Sequence, residues 1–595
     1  MEIENSKGIL EMGENVSIDI ERTNPILSDQ GSKSLPFRIE RTAKNNFLLG
    51  FPSKYERKYQ YPLKQDVNVR LGRMNENATM EILSVSDKIE SVLYLGESSF
   101  YNRIRETKLT TVFEGVERNF YPKSMDRETR IGLIVQMLEQ MMFSSPDYSG
   151  DFTIFPIAAD CEVLPNQLSH SGLSPAAKAL RKNVINDIIR YSTGGNLYLR
   201  AHSSYTYNDD QGVQITLPPG YGVTIFLRFR YILRKIFDYF GLTLEQNVFD
   251  TDSTLKKCCV LNNTMDALMP GYFIESQLVP DCTVNEFLDV VREGINADFY
   301  VNVEEKTARL VLFDDILSAE PDMDLTGYLS KEFDGIAFST PKQVSLTINK
   351  NLPLTATSTE TLYEFQSKYP EFYMYEPTFP DNKIFPDSFR SSIWKHSLVQ
   401  GWWKADRLSS MNFNYDTMDG FEREIHTIPC EVPVSILGSV EGGEIYYLTI
   451  TGSARNLNSF IIVDSQKQTV DNAECPIMLS LELSDIVKPG ETVRTGMSNS
   501  GRLTSHADSL LLWDDRGLFK RFFTTYDNIL RTSFHLITYH VRMPLSLLHS
   551  FRFDRLKIIN NQPLLPVSLK YKLTNSDSSN SIEVEMAART IKYYQ

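Results

Sequence analysis

Residues 220–250, GYGVTIFLRFRYILRKIFDYFGLTLEQNVFD, and residues 278–317, LVPDCTVNEFLDVVREGINADFYVNVEEKTARLVLFDDIL, decide how the rest of the chain is read. Ile225, Phe229, Ile232, Ile236 and Phe240 recur every three or four positions, which sets them on one face of a helix. Gly241 follows where such a helix stops. Val279-Pro280-Asp281 opens a second helix. Thr283 is its expected N-cap, and Glu286 three residues on completes the pattern of a capping box. Phe287, Leu288, Val291 and Ile295 supply the apolar face. Phe299–Val303 and Ala308–Phe313, on either side of the turn 304–306, read as a β-hairpin. Two helices and a hairpin make a small α/β module over 223–318. Nothing in it is chemically reactive.

The whole chain has 595 residues, which is too long for one core and implies roughly three to five domains. Aromatic residues reach 11%, with 29 Tyr and 34 Phe, a balance that favours a β-rich fold. The net charge is −15, the wrong sign for a protein that reads DNA sequence, yet suitable for a passage that DNA crosses without sticking. Six cysteines, at 161, 258, 259, 282, 430 and 475, form no CxxC and suggest neither a disulfide framework nor a zinc site. Cys258-Cys259 reads as two buried small residues in preference to a reactive pair. The N-terminal residues are acidic where a secretory signal needs basic ones. No run approaches ~18 apolar residues, so no membrane span is expected.

The chain divides as follows. Residues 1–150 form an N-terminal β-rich domain, in which 64–96 reads as a three-stranded meander turning at Asn75–Asn77, and Arg130–Met142 as a helix. Residues 151–222 are a connector or insertion, and 223–318 are the module. A second β-rich domain spans 319–430, with the strictly alternating strand KQVSLTINK at 342–350. Residues 431–505, short strands with Gly-rich turns, read as an inserted β-sandwich. Residues 506–595 begin with a helix and continue as strands, with a turn at Asn560-Asn561 and SIEVEMAART, 581–590, as a final edge. The fold class is therefore α+β and β-rich. The two β regions, 64–96 and 335–350, read as copies of one barrel.

No phosphate-binding loop, dinucleotide fingerprint, zinc-protease motif or nucleophile elbow is present. The eight histidines are scattered, and the odd spacing of His535 and His540 on one strand sends them to opposite faces. The acidic pairs Asp209-Asp210, Asp314-Asp315 and Asp514-Asp515 read as solvated turns or helix starts in preference to the two carboxylates of a glycosidase. One aromatic cluster stands out: Trp394, Trp402 and Trp403, with His396, Phe372, Tyr373, Tyr375 and Phe379 nearby. Core packing or a subunit interface is favoured there over a sugar platform. No catalytic residue, cofactor-binding residue or metal ligand is assigned.

Six stretches carry a resemblance: residues 23–52 (TNPILSDQGSKSLPFRIERTAKNNFLLGFP), 68–104 (NVRLGRMNENATMEILSVSDKIESVLYLGESSFYNRI), the module segments 233–245 and 278–311, and 518–548 with 555–571. They resemble tail or baseplate hub proteins of phages and prophages infecting Bacteroidota. The resemblance implies two tail-tube-like β-barrels and a small α/β domain per chain. It further implies a homotrimeric ring that joins the tail tube to the tail tip and forms part of the central channel for genome ejection. On that reading the chain is a virion tail component made in the host bacterial cytoplasm, without cofactor, with DNA only as passing cargo. The contact stretches expected are 64–96, 335–350 and 536–571. Two rivals use other chemistry. A carbohydrate-binding tail-tip or receptor-binding protein would use Trp402, Trp403 and a carboxylate pair, and a cell-wall hydrolase would need a nucleophile or base in the insertion.

Overall fold

The structure, a computed structural model, describes residues 1–155, 219–348 and 518–591 apart from short stretches, the longest being 55–62 and 575–580, and chiefly separate strands within 157–217 and 372–497. The N-terminal strands are β1 (Glu2–Asn5), β2 (Gly8–Ile9), β3 (Ser17–Thr23), β4 (Lys33–Ser34), β5 (Phe37–Glu40), β6 (Lys64–Leu71), β7 (Met74–Val85) and β8 (Lys88–Leu95). The module contributes the hairpin β9 (Ala297–Asn302) and β10 (Thr307–Leu312). After it come β11 (Gly335–Ala337), β12 (Leu536–Pro544), β13 (Lys557–Ile559), β14 (Gln562–Thr574) and β15 (Ser581–Thr590).

The first and last segments of the chain share one sheet. Its order is β2-β1-β6-β7-β8-β4-β3-β14-β15-β12-β11, with β5 on β8 and β13 on β14. β3 pairs antiparallel with β14 from Ser17↔Thr574 to Thr23↔Ser568, so the chain ends are zipped over seven residues. Alternation explains the packing: Ile582, Val584, Met586 and Ala588 of β15 are buried, as are Ile537, Tyr539, Val541 and Met543 of β12. That period of two sets one face of the sheet on the core.

The module follows the sequence reading closely. Its first helix, Phe229–Tyr239, buries Phe229, Ile232, Leu233, Ile236 and Phe237, and Gly241 stands beyond its end at φ 75°. Only glycine takes that left-handed position without a Cβ penalty. The second helix, Val284–Ile295, starts in a complete capping box: Thr283 Oγ1 accepts from Glu286 N, and the Glu286 carboxylate accepts from Thr283 N at 2.6 Å. Asn296, at φ 50°, ends it. The hairpin runs in register from Ala297↔Leu312 to Asn302↔Thr307, and Thr243–Leu244 adds a parallel strand on β10. Phe229 packs on Phe287 with ring centroids 4.9 Å apart, and Phe237 on Phe299 at 5.0 Å. Each such buried ring contributes about 1.5–3 kcal/mol by leaving water. The helix at Arg127–Met142 is capped by Asp126, whose carboxylate accepts from Thr129 N.

Several details differ from expectation. The meander turns between Leu71 and Met74, and Asn75 and Asn77 lie inside β7, opposite Arg70 and Asn68. The long strand tolerates them because its alternate residues face solvent, where polar side chains carry no desolvation cost. The stretch 581–590 is not an edge: β15 pairs with β14 on one side and β12 on the other. The SLKYKLTN and QPLLP runs form one strand, β14, bent by an irregularity between Pro566 and Ser568, where a proline cannot donate to the ladder. The C-terminal helix is split into Leu518–Phe522 and Thr524–Thr532. The expected turn is present: Asn560 and Asn561 both have positive φ and close a two-residue hairpin, Ile559↔Gln562.

Of the second β region, Gly335–Ala337 forms β11 at the rim of the large sheet, whereas Lys342–Ile348 pairs in parallel with Asp419–Ile425. The described strands of 431–505 do not stand apart either. Gly443–Ile450 pairs with Ile157–Ala159, and Leu479–Leu481 with Cys258–Val260 of the module. Arg228 and Glu482, both without solvent exposure, form an ion pair across that second junction. The protein is thus a β-rich α+β fold built on large antiparallel sheets. No helix among the described residues is long and apolar enough to cross a membrane.

Candidate functional site

Among the described residues the large sheet ends in β2 on one side and β11 on the other, and each end exposes large apolar side chains. At one end β2 is only two residues long, and Ile9 is exposed there. The short helix Ala43–Leu48 lies against this edge, because Asn5 Nδ2 donates to the Leu48 carbonyl at 3.0 Å, and it presents Phe47 at 60% exposure. Leu63, just before β6, is exposed as well. At the other end, among the described residues, β11 pairs only with β12. It exposes Ile336 and, one residue beyond the strand, Phe338 at 75%. Phe338 meets the His535 ring edge-on at 5.2 Å. Tyr328 is exposed beside the Leu329–Val541 bridge on the same rim.

A cleft of about 620 Å³ opens where the large sheet meets the module hairpin. Arg22 from β3, Glu76 from β7, Tyr300 to Val303 from the hairpin, and residues 549–554 line it. His549 Nδ1 lies 3.7 Å from Glu76 Oε1. Burial works to raise the Glu76 carboxyl, but the neighbouring His549 imidazole and the Arg22 charge outweigh it and hold Glu76 below its ordinary value. Asp554 is held in the same way: burial opposes its charge, and Arg552 with Arg309 lowers it. Arg552 grips it through Nε at 3.1 Å and Nη2 at 2.8 Å, and Arg309 Nη2 reaches it at 2.8 Å. Two-point contacts of this kind fix both partners in place.

The sequence-assigned aromatic cluster falls on two paired strands, Ile393–His396 and Trp402–Ala405. Their register sets Trp394 opposite Trp403 and Lys395 opposite Trp402. Phe372 and Tyr373 occupy the next strand, opposite His396 and Lys395, while Tyr375 and Phe379 lie outside the described residues. The backbone thus brings Trp394 and Trp403 together and sets Trp402 one register step away.

Of the acidic pairs, Asp209-Asp210 and Asp514-Asp515 lie outside the described residues. Asp314-Asp315 opens the short helix Phe313–Ser318 and stands away from the cleft. Burial pushes Asp314 up to about 6; the Thr525 hydroxyl, donating at 3.3 Å, pulls it down, and Asp315 adds to the rise. A carboxyl bound more tightly by protons in the native state than in the unfolded chain makes stability rise as pH falls through that value. Wild-type stability is therefore expected to increase by about 1 kcal/mol, discounted for partial exposure, between pH 7 and 4 relative to Asp314→Asn. Parallel pH profiles for the two proteins in urea unfolding would refute this.

Cys258 and Cys259 are buried, and burial pushes the Cys258 thiol up to about 12, so both are inert packing residues. Among the described residues no group of His, Cys, Asp and Glu is arranged to hold a metal ion. Sequence reasoning missed the cleft. Arg22, Glu76, Tyr300 and Asp554 come from four distant stretches and form no local motif. The one signal available was the charge-dense run Arg552–Arg555, where an aspartate sits between two arginines. No protein-family model matches this chain, and no curated protein matches it.

Proposed function

We propose that this chain is a structural protein that assembles with its own copies, head to tail, into a ring serving as the hub of a phage tail or baseplate. The observation that carries this reading is the pair of apolar rims at opposite ends of one sheet, unpaired among the described residues, Ile9 with Phe47 and Leu63 against Tyr328 with Ile336 and Phe338. A head-to-tail contact needs two different patches on each subunit, and it closes into a ring when the rotation allows. Unpaired edges bearing apolar residues are otherwise an aggregation hazard, so a native partner for them is expected. The resemblance of the N-terminal, module and C-terminal stretches to tail hub proteins supplies the trimer, the tube-like barrel formed by the large sheet, and the neighbours at tail tube and tail tip. The net charge of −15 suits a channel wall that does not retain DNA. No catalytic step enters this function.

The test is mass in solution together with negative-stain electron microscopy. A three-fold ring with an open centre, near three times 68.2 kDa, is expected. Phe338→Asp should shift that species to monomer without lowering its melting temperature, because the side chain is exposed. A two-fold dimer, or a monomer at every concentration, would overturn the reading.

A further inference from the structure

We propose that His535 is a pH switch for the rim that carries Phe338: as a neutral imidazole it holds Phe338 ready for the next copy of the chain, and on taking up a proton it lets go. This inference rests on the head-to-tail ring and adds its regulation. The register of β11 on β12 runs from Gly335↔Thr538 to Ala337↔Leu536, so Phe338 and Ser339 leave the strand beside His535. Ser339 N donates to His535 Nδ1 at 3.1 Å. Phe338 is therefore held between two backbone anchors, Ala337 in the ladder and Ser339 on the imidazole.

A ring nitrogen that accepts from an N–H must keep its lone pair, so His535 is neutral here, with its proton on Nε2. An imidazolium carries a proton on both nitrogens and cannot accept. Protonation sets Nδ1–H against the Ser339 N–H, and that bond breaks.

The surroundings offer the cation nothing in return. From β15, Thr590 Oγ1 accepts from the His535 backbone N–H at 2.9 Å, and the neighbouring Arg589 brings a positive charge. Arg589 Nη1 donates to Ser339 Oγ at 2.8 Å and to the Phe534 carbonyl at 2.7 Å, and Ser339 Oγ donates to that same carbonyl at 3.0 Å. The guanidinium and a protonated imidazole would thus flank one serine. From the helix Thr524–Thr532, Tyr526 packs its ring on Phe534, and Asp527 turns its carboxylate to Val344 N at 2.7 Å. Among the described residues no carboxylate forms an ion pair with His535.

Once the bond is broken, Ser339 keeps its hydroxyl anchor but loses its backbone one. Phe338 must then be ordered afresh when the next copy docks, which weakens association. The ring therefore favours neutral His535, the free subunit binds the proton more readily, and assembly should strengthen as pH rises.

The test is the concentration at which rings half-dissociate, taken from mass in solution for the full chain at about pH 7.5 and about pH 5.5, the span over which histidine changes charge. For the wild type that concentration should rise at least about three-fold in acid. His535→Asn places an oxygen where Nδ1 accepts and takes up no proton, so it should form rings equally well at both; His535→Gln serves as a second such variant. A local readout is amide exchange at Ser339, followed by mass spectrometry. The ratio of its rate in the wild type to that in His535→Asn should rise at least about three-fold on acidification, since the intrinsic pH dependence cancels. Rings equally stable at both pH values, the same acid response in both variants, or a constant exchange ratio would each overturn the switch and leave the ring standing. Absence of rings at both pH values would overturn the ring reading, and this regulation with it.

Discussion

Asn24→Ala should lower stability by about 3–5 kcal/mol, the largest effect expected of any single truncation of a neutral side chain in this protein. Asn24 has no solvent exposure, and its amide is used in full. Nδ2 donates to the Phe553 carbonyl at 3.1 Å and to the Pro566 carbonyl at 2.8 Å. Oδ1 accepts from the Tyr300 hydroxyl at 2.8 Å and from Ile26 N at 3.3 Å. One side chain therefore joins the end of β3, the loop before β13, the bend of β14 and the module hairpin. Alanine strips donors from two buried carbonyls and an acceptor from a buried hydroxyl, at about 1–3 kcal/mol each before relaxation. Tyr300→Phe alone should cost about 1 kcal/mol. In the double variant the two losses should fall short of additive by about 1 kcal/mol, because the hydroxyl is no longer stranded. Strict additivity in denaturant unfolding would show that the Asn24–Tyr300 bond does not couple module to sheet.

The module was legible because its signals are local. The capping pair Thr283 and Glu286 and the stop at Gly241 lie within a few residues of the backbone they control. The face of Phe229–Tyr239 is likewise set by spacing alone. The Asn560-Asn561 turn was readable for the same reason, since its positive φ angles are a property of two residues. The large sheet was only half legible. Alternation in 64–71, 536–544 and 581–590 marks strands, but alternation carries no information on which strand lies beside which. Nothing local announces that Ser17 pairs with Thr574, and so the N-terminal and C-terminal β stretches read as separate domains. Nor does any residue of 581–590 tell whether its outer N–H groups meet solvent or another strand. The cleft was illegible for a further reason. Its chemistry lies in pairings such as Glu76 with His549, which exist only once the sheet has closed over some 470 residues of chain.

Lys557→Met should cost about 2–4 kcal/mol, and its pH dependence separates charge from packing. The Lys557 side chain has no solvent exposure, and its ammonium donates to Asp322 Oδ1 at 2.6 Å, to the Arg552 carbonyl at 2.7 Å and to the Arg555 carbonyl at 3.3 Å. Methionine keeps an aliphatic stem and removes the burial cost of the charge, which alone would favour the variant, but it also removes the ammonium that lies 4.6 Å from the Phe551 ring centroid. Against that stand two carbonyls left without a donor and an aspartate left without its cation. Asp322 is part-exposed, so water recovers some of its loss, whereas the carbonyls turned inward on the 552–557 loop lose about 1–3 kcal/mol each. Loss outweighs relief. Burial lowers the Lys557 pKa, and the Asp322 hydrogen bond offsets only part of that. The unfolded chain therefore binds the proton more tightly, and wild-type stability should rise as pH climbs from the depressed native value towards ~10.4, the unfolded one. Lys557→Met should lack that component, which the difference between the two unfolding profiles isolates. Equal slopes for the two proteins would show that the ammonium is as comfortable inside as in water. A loss under ~1 kcal/mol would show that the carbonyls find other donors. Because the loop held by Lys557 also carries Phe553 and Asp554, the same substitution should loosen the grip of Arg309 on Asp554 and widen the cleft beside Val301.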